Sequence, residues 1–297
     1  MARTPTTSEE LLHRLDWTVV RRLDGMLHGE YRTRLYGTGL DFADLREYEP
    51  GDDVRHIDWN VTARTTVPHV RQYVAERDLT AWLLVDRSPS MAFGALDRTK
   101  SSVVADFVAV IARLLTRNGN RVGALLYDNA IQAVIEPRTG RNQVLRIARA
   151  VITPAEPSGQ ATDLGGLLRH AVEMVKRRSL VFVISDFISE AGWEVPMAHL
   201  AQRHEVVAIR LVDPRELELP DAGLLVLEDS ETGEQIFVDT SDPGFRRRFK
   251  EAAAAREERL ATAAARAGVA LYPLRTDDDL VRTLLRIARA HEGRRRR

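Results

Sequence analysis

The chain contains no cysteine, so a disulfide scaffold, thiol catalysis and a thiolate metal site are all excluded. It also lacks any apolar run near the ~18 residues needed to cross a bilayer, and its first residues, MARTPTTSEE, hold no signal-peptide core. Net charge is absent as well. The 43 basic and 43 acidic residues cancel, which argues against a global field for nucleic acid or anionic membrane. Several catalytic motifs are missing: a Gly-x-Ser-x-Gly elbow, a Gly-Lys-Ser/Thr phosphate loop and a His-Glu-x-x-His helix. Gly37 and Gly39 have no third glycine, preceding strand or following helix to make a nucleotide loop. His199 and His204, five apart, share no helix face, and His56 reads as structural. Without a membrane-spanning run or a signal-peptide core, a cytoplasmic location is expected, with peripheral membrane contact left open, while the lack of cysteine does not fix the compartment.

What is present is an alternation of apolar strands and amphipathic helices. Ala81 to Val85, Val122 to Tyr127 and Leu180 to Ile184 are continuous apolar runs of strand length, suited to burial on both faces, and Val206 to Val212 reads as another core strand. Between the first two, Val103, Val104, Phe107, Val108, Ile111, Leu114 and Leu115 form one helical stripe that stops at Asn118-Gly119. The spacing predicts further helices over about Leu164–Lys176, Trp193–His204, Phe245–Ala267 and Asp279–His291, and a last strand over Val269–Leu274. Leu224–Leu227 and Gln235–Val238 read as a hairpin at a sheet edge. An α/β fold with a mostly parallel, Rossmann-like sheet and helices on both faces follows. A stripe of Leu11, Leu12, Leu15, Val19, Leu23 and Leu27 predicts an N-terminal helix, followed by an irregular segment.

Ligands of such sheets bind beyond the carboxyl ends of the strands. Asp86, Ser88 and Ser90 follow the first strand, Asp186 follows a later one, and Thr162 precedes a helix as an N-cap would. Hydroxyl and carboxylate oxygens are hard donors, suited to Mg²⁺ or Mn²⁺. Two carboxylates balance a divalent charge, and three neutral hydroxyls leave the cation attractive to an outside acid. The bland alternative for Asp86 to Ser90 alone is a turn with capping side chains.

Asp-x-Ser-x-Ser after a strand, a lone Thr before a helix and a later Asp resemble the metal-ion-dependent adhesion site of von Willebrand factor A domains. The resemblance runs from about Leu79 onward. It implies that Ser88, Ser90 and Thr162 contact the metal directly or nearly so, and that Asp86 and Asp186 hold it partly through water. Asp86-x-Ser88 is also similar to the opening of haloacid-dehalogenase phosphatases, but Ser88 stands where that family needs a proton-donating Asp.

Upstream, Leu45-Arg46-Glu47-Tyr48, Pro50-Gly51-Asp52-Asp53, Arg55 and Ile57-Asp58-Trp59 fall in one block, with Arg64 just beyond. Asp52, Asp53, Arg55 and Asp58 are expected to form a network of charge-assisted hydrogen bonds. The block closely resembles the signature of the bacterial family called domain of unknown function 58. That resemblance implies a von Willebrand A-like domain downstream and a MoxR-type AAA+ ATPase as partner. Many members carry membrane helices before the signature, a pattern this chain departs from. The block reads either as a plug with Trp59 buried or as a binding surface with Arg46, Arg55, Trp59 and Arg64 exposed.

The expected organisation is 1–78 for the N-terminal helix and signature, 79–292 for the von Willebrand A-like domain and 293–297 for a basic tail. The expected function is a non-enzymatic protein-interaction module that uses Mg²⁺ or Mn²⁺ to bind an acidic side chain and adapts an ATPase to a client. A metal-dependent phosphohydrolase and an RNA-binding von Willebrand A-like protein are the alternatives.

Overall fold

A computed structural model describes residues 41–49, 52–54, 57–74, 79–95, 98–154, 163–189, 191–228 and 234–295. The stripe from Leu11 to Leu27 lies outside these residues, as do Pro50, Gly51, Arg55, His56 and Thr162.

The upstream segment, read as irregular from sequence, contains regular structure. Strand β1 (Asp41–Glu47) is separated by helix α1 (Trp59–Thr65) from β2 (His69–Val74), and the two strands pair antiparallel. Asp58 starts α1 by accepting bonds from the N–H groups of Asn60 and Val61 at 3.0 and 3.2 Å.

The remaining elements follow in chain order. They are β3 (Thr80–Asp86), a 3₁₀ turn (Pro89–Ala92), the short pair β4 (Gly94–Ala95) and β5 (Arg98–Thr99), then α2 (Lys100–Arg117). Next come β6 (Arg121–Tyr127), β7 (Ile131–Arg138), α3 (Arg141–Ile152), α4 (Leu164–Met174) and β8 (Leu180–Ser185). Helix α5 (Glu194–Arg203), β9 (Glu205–Val212), a 3₁₀ turn (Pro214–Glu216), β10 (Leu224–Glu228) and β11 (Gln235–Asp239) lead to α6 (Pro243–Arg266), β12 (Leu271–Arg275) and α7 (Leu280–Arg295).

Six strands form the main sheet in the order β12-β9-β8-β3-β6-β7, parallel except for β7. Read from β7, that is third, second, first, fourth, fifth, sixth in order of appearance, the doubly wound order. Along β3 the core side chains alternate: Ala81, Leu83 and Val85 face one hydrophobic cluster, Trp82 and Leu84 the other. Helices α2, α3 and α7 cover the first face, and α4, α5 and α6 the second. Each fully buried Leu or Val contributes about 1.5–3 kcal/mol, so a strand buried on both sides is a stiff support for whatever follows it.

Two expectations are corrected here. The β10–β11 hairpin is a separate two-stranded ribbon and not an edge of the main sheet, because β7 and β12 occupy both edges. The terminal helix extends past His291 to Arg295, with Arg294 donating to the Gly268 carbonyl at 3.4 Å.

Candidate metal centre

In the doubly wound order the crossovers leave β3 and β8 in opposite directions, which opens a crevice beyond their carboxyl ends. Asp86 ends β3, and Ser185 ends β8 just before Asp186. The two loops are joined directly. Ser185 Oγ donates to Asp86 Oδ2 at 2.6 Å, and the Ser88 N–H donates to Asp86 Oδ1 at 2.9 Å. That second bond bends the chain so that the buried hydroxyls of Ser88 and Ser90 lie 3.0 Å apart.

The serine pair tests whether a cation fits. Octahedral Mg²⁺ with bonds of about 2.1 Å has adjacent ligand oxygens roughly 3.0 Å apart. The pair already has the spacing of one octahedral edge. Among the described residues no three histidine or carboxylate side chains gather as a ligand set, so a cation here depends on the hydroxyls. Burial, and after it the charge of Asp186, pushes the Asp86 carboxyl up to about 7, while bonds from Ser185 and Ser88 act the other way. Such a carboxylate is short of positive charge. The donor set fits Mg²⁺ or Mn²⁺.

Asp186 is engaged differently from Asp86. The fully buried Lys100 donates from Nζ to Asp186 Oδ2 and to Glu216 Oε1, both at 2.7 Å, while the Ile188 N–H reaches Asp186 Oδ1 at 3.0 Å. Buried Arg210 bonds the Asp186 carbonyl, the Leu211 carbonyl at 2.7 Å and Glu257 Oε1 at 2.7 Å. Phe187, the next residue, holds a left-handed φ of 54°, a conformation costly for a bulky side chain and fixed by packing against Trp193. The one ammonium of Lys100 is thus shared between two carboxylates, Asp186 and Glu216, whereas Asp86 has no cationic side chain bonded to it among the described residues.

Thr162 lies outside the described residues, but its neighbour Asp163 does not. Asp163, rather than Thr162, caps α4 by accepting from the Gly166 N–H at 2.8 Å, and it pairs with Arg169. Gly166 permits this approach, since a Cβ there would lie 2.6 Å from Asp163 Oδ2 and 2.4 Å from the Tyr127 hydroxyl. Tyr127 sits beside Asp86 in the β3–β6 register. Burial, then Asp163, raises the Tyr127 pKa, with smaller contributions from Asp128 and Asp86. The α4 start therefore reaches the same sheet edge.

Sequence reasoning missed Lys100, Asp128, Arg210 and Glu216. Asp128 follows β6, is buried, and has an Oδ1 atom that accepts no hydrogen bond among the described residues. Lys100 did leave a sequence signal: it is a cation at the first position of a helix, against the helix dipole.

In the signature, Arg46 grips Asp52 through two bonds of 2.8 and 2.6 Å, and Asp52 also accepts from the Glu49 N–H at 2.9 Å. Tyr48 donates its N–H to the Pro68 carbonyl at 2.8 Å. Of the expected network, Asp52 holds Arg46 and Asp58 accepts from the α1 backbone, while Arg55 lies outside the described residues. Asp53 is half-buried, and Arg64 lies exposed in the last turn of α1, favourably placed for the helix dipole. Trp59 is not the buried plug; it is 69 % exposed, because α1 buries none of its residues.

Comparison with known proteins yields relatives over nearly the whole chain. An uncharacterized protein of Mycobacterium tuberculosis is 40% identical over 276 residues, covering 93% of this chain and 87% of the relative. Among solved structures, an aerotolerance-related membrane protein from Bacteroides fragilis superposes with a TM-score of 0.49 at 14% identity, covering 72% of this chain and 99% of that one. A von Willebrand factor type A protein from Catenulispora acidiphila gives 0.36 at 15% identity, covering 46% and 34%. No helix among the described residues is long and apolar enough to cross a membrane. The profile described as protein of unknown function DUF58 matches residues 44–259, and the chain belongs to that family.

Proposed function

We propose that the chain is a non-enzymatic protein-interaction module that binds an acidic side chain of a partner at a divalent cation held by Asp86, Ser88 and Ser90. Thr162 is the expected fourth ligand, and Asp186 acts from behind. The observation that carries this reading is the buried Ser88–Ser90 hydroxyl pair at 3.0 Å, fixed by Asp86 at the crevice between β3 and β8. When bound, Mg²⁺ or Mn²⁺ would supply a hard, positively charged contact for a carboxylate oxygen. The chain's own residues hold the hydroxyls in register, keep Asp86 dry and fix the Asp186 loop through Arg210. Non-enzymatic action is consistent with Ser88 standing where a phosphatase of similar opening needs a second acid. The family resemblance supports a MoxR-type AAA+ ATPase as the partner, with the chain as adaptor to a client.

Co-purification tests this. The ATPase encoded in the same genome should be retained by the protein in Mg²⁺ and released by EDTA, and Asp86→Ala should abolish retention while leaving the circular dichroism spectrum intact. Turnover of a generic phosphate ester that Asp86→Ala eliminates would instead identify a hydrolase.

A further inference from the structure

We infer that Lys100 is a positioning residue that withholds Asp186 from the cation, so that the ion is held by Asp86 and hydroxyls and keeps the positive charge that draws in a partner's acid. The inference rests on the metal reading above and adds the device that sets the charge of that site.

A fully buried ammonium at the first position of an 18-residue helix is unfavourable twice over, from lost hydration and from the helix dipole. Among the described residues, both costs are offset by the Lys100 bonds to Asp186 and Glu216, at 2.7 Å each, with the Phe93 ring 5.8 Å from Nζ. The consequence for Asp186 is that each carboxylate oxygen already has a donor, Oδ2 from Lys100 and Oδ1 from the Ile188 N–H. Asp86, by contrast, takes its donors from a serine hydroxyl and a backbone N–H, both uncharged. One acid of the pair is neutralised from within the fold, and the other is left for a cation. Were Asp186 released, a second carboxylate would be available as a ligand, and a bound divalent ion would have less charge to offer an outside acid. Glu216 shares the ammonium from the far side. It is anchored through its other oxygen, which accepts the Asp213 N–H at 3.0 Å.

Mn²⁺ titration followed by electron paramagnetic resonance tests the inference. Lys100→Met, close in volume and uncharged, should bind Mn²⁺ at least tenfold more tightly than the wild type. In an Asp186→Asn background the same change should alter affinity less than about threefold, because the effect runs through that carboxylate. Unchanged or weaker binding by folded Lys100→Met, or an equal gain in both backgrounds, overturns it. If Lys100→Met does not fold, Glu216→Gln decides. By leaving the ammonium wholly to Asp186 and removing one negative charge, it should weaken Mn²⁺ binding at least threefold; no change overturns the inference. Ser88→Ala separates the two readings. If it takes up Mn²⁺ as the wild type does, the metal reading fails; if it loses the ion while Lys100→Met shows no shift, only the role of Lys100 fails.

Discussion

At the residue scale, Asp86 is the group whose environment most needs a counter-charge. Its carboxyl is raised to about 7 in the fold, above the roughly 3.9 of an unfolded chain, so the folded state binds more protons between those values. The associated stability is complete below the lower value and is lost as pH rises through the upper one. Melting in EDTA should therefore show a transition temperature that falls from pH 5 to pH 8. Asp86→Asn should flatten that slope, and Mn²⁺ at pH 8 should restore the wild type but not the variant. Of the predicted ligands, Asp86, Ser88, Ser90 and Asp186 lie at or just beyond strand ends, where hydroxyls and carboxylates stand out in the sequence, while Thr162 lies outside the described residues. The pairing of Lys100 with Asp186 and Glu216 was not readable, since ion pairs spanning 86 and 116 positions leave no local pattern.

At the element scale, β9 carries a feature that its apolar run conceals. Arg210 lies buried in the strand and ties the Asp186 carbonyl, the strand's own next carbonyl and Glu257 of α6 together. Arg210→Met should cost on the order of 3 kcal/mol in urea unfolding, because it removes a buried guanidinium's bonds to the Asp186 and Leu211 carbonyls and its ion pair with Glu257. Strands β3 and β8 were legible as uninterrupted apolar runs, and β9 as an apolar run broken only by Arg210. Strand β7 was not: it is an edge strand of mixed composition, with only Ile135 fully buried. Helix α3 was missed as well, because its buried set of Gln143, Val144, Ile147 and Ala148 is sparse among arginines. In the signature region β1 and α1 were hidden because its residues make turns, caps and ion pairs and show little periodicity, and β2 beyond it was not read either.

At the scale of the whole molecule, 43 positive and 43 negative charges and an isoelectric point near 7.1 leave little colloidal repulsion at neutral pH. Light scattering should show self-association greatest near pH 7 and reduced at pH 8.5 in low salt; a flat profile would contradict this. Exposed apolar side chains add to that tendency, above all Leu224 and Phe237, which are 79 % and 80 % exposed on the β10–β11 ribbon. The ribbon's base is pinned by Thr240, whose N–H and hydroxyl both donate to the Gly223 carbonyl at 2.8 and 2.7 Å. A hairpin clamped at its root and, among the described residues, hydrogen-bonded to no other strand is a natural graft point: a fluorophore or epitope inserted between Glu228 and Gln235 would label the protein while leaving the six-stranded scaffold undisturbed.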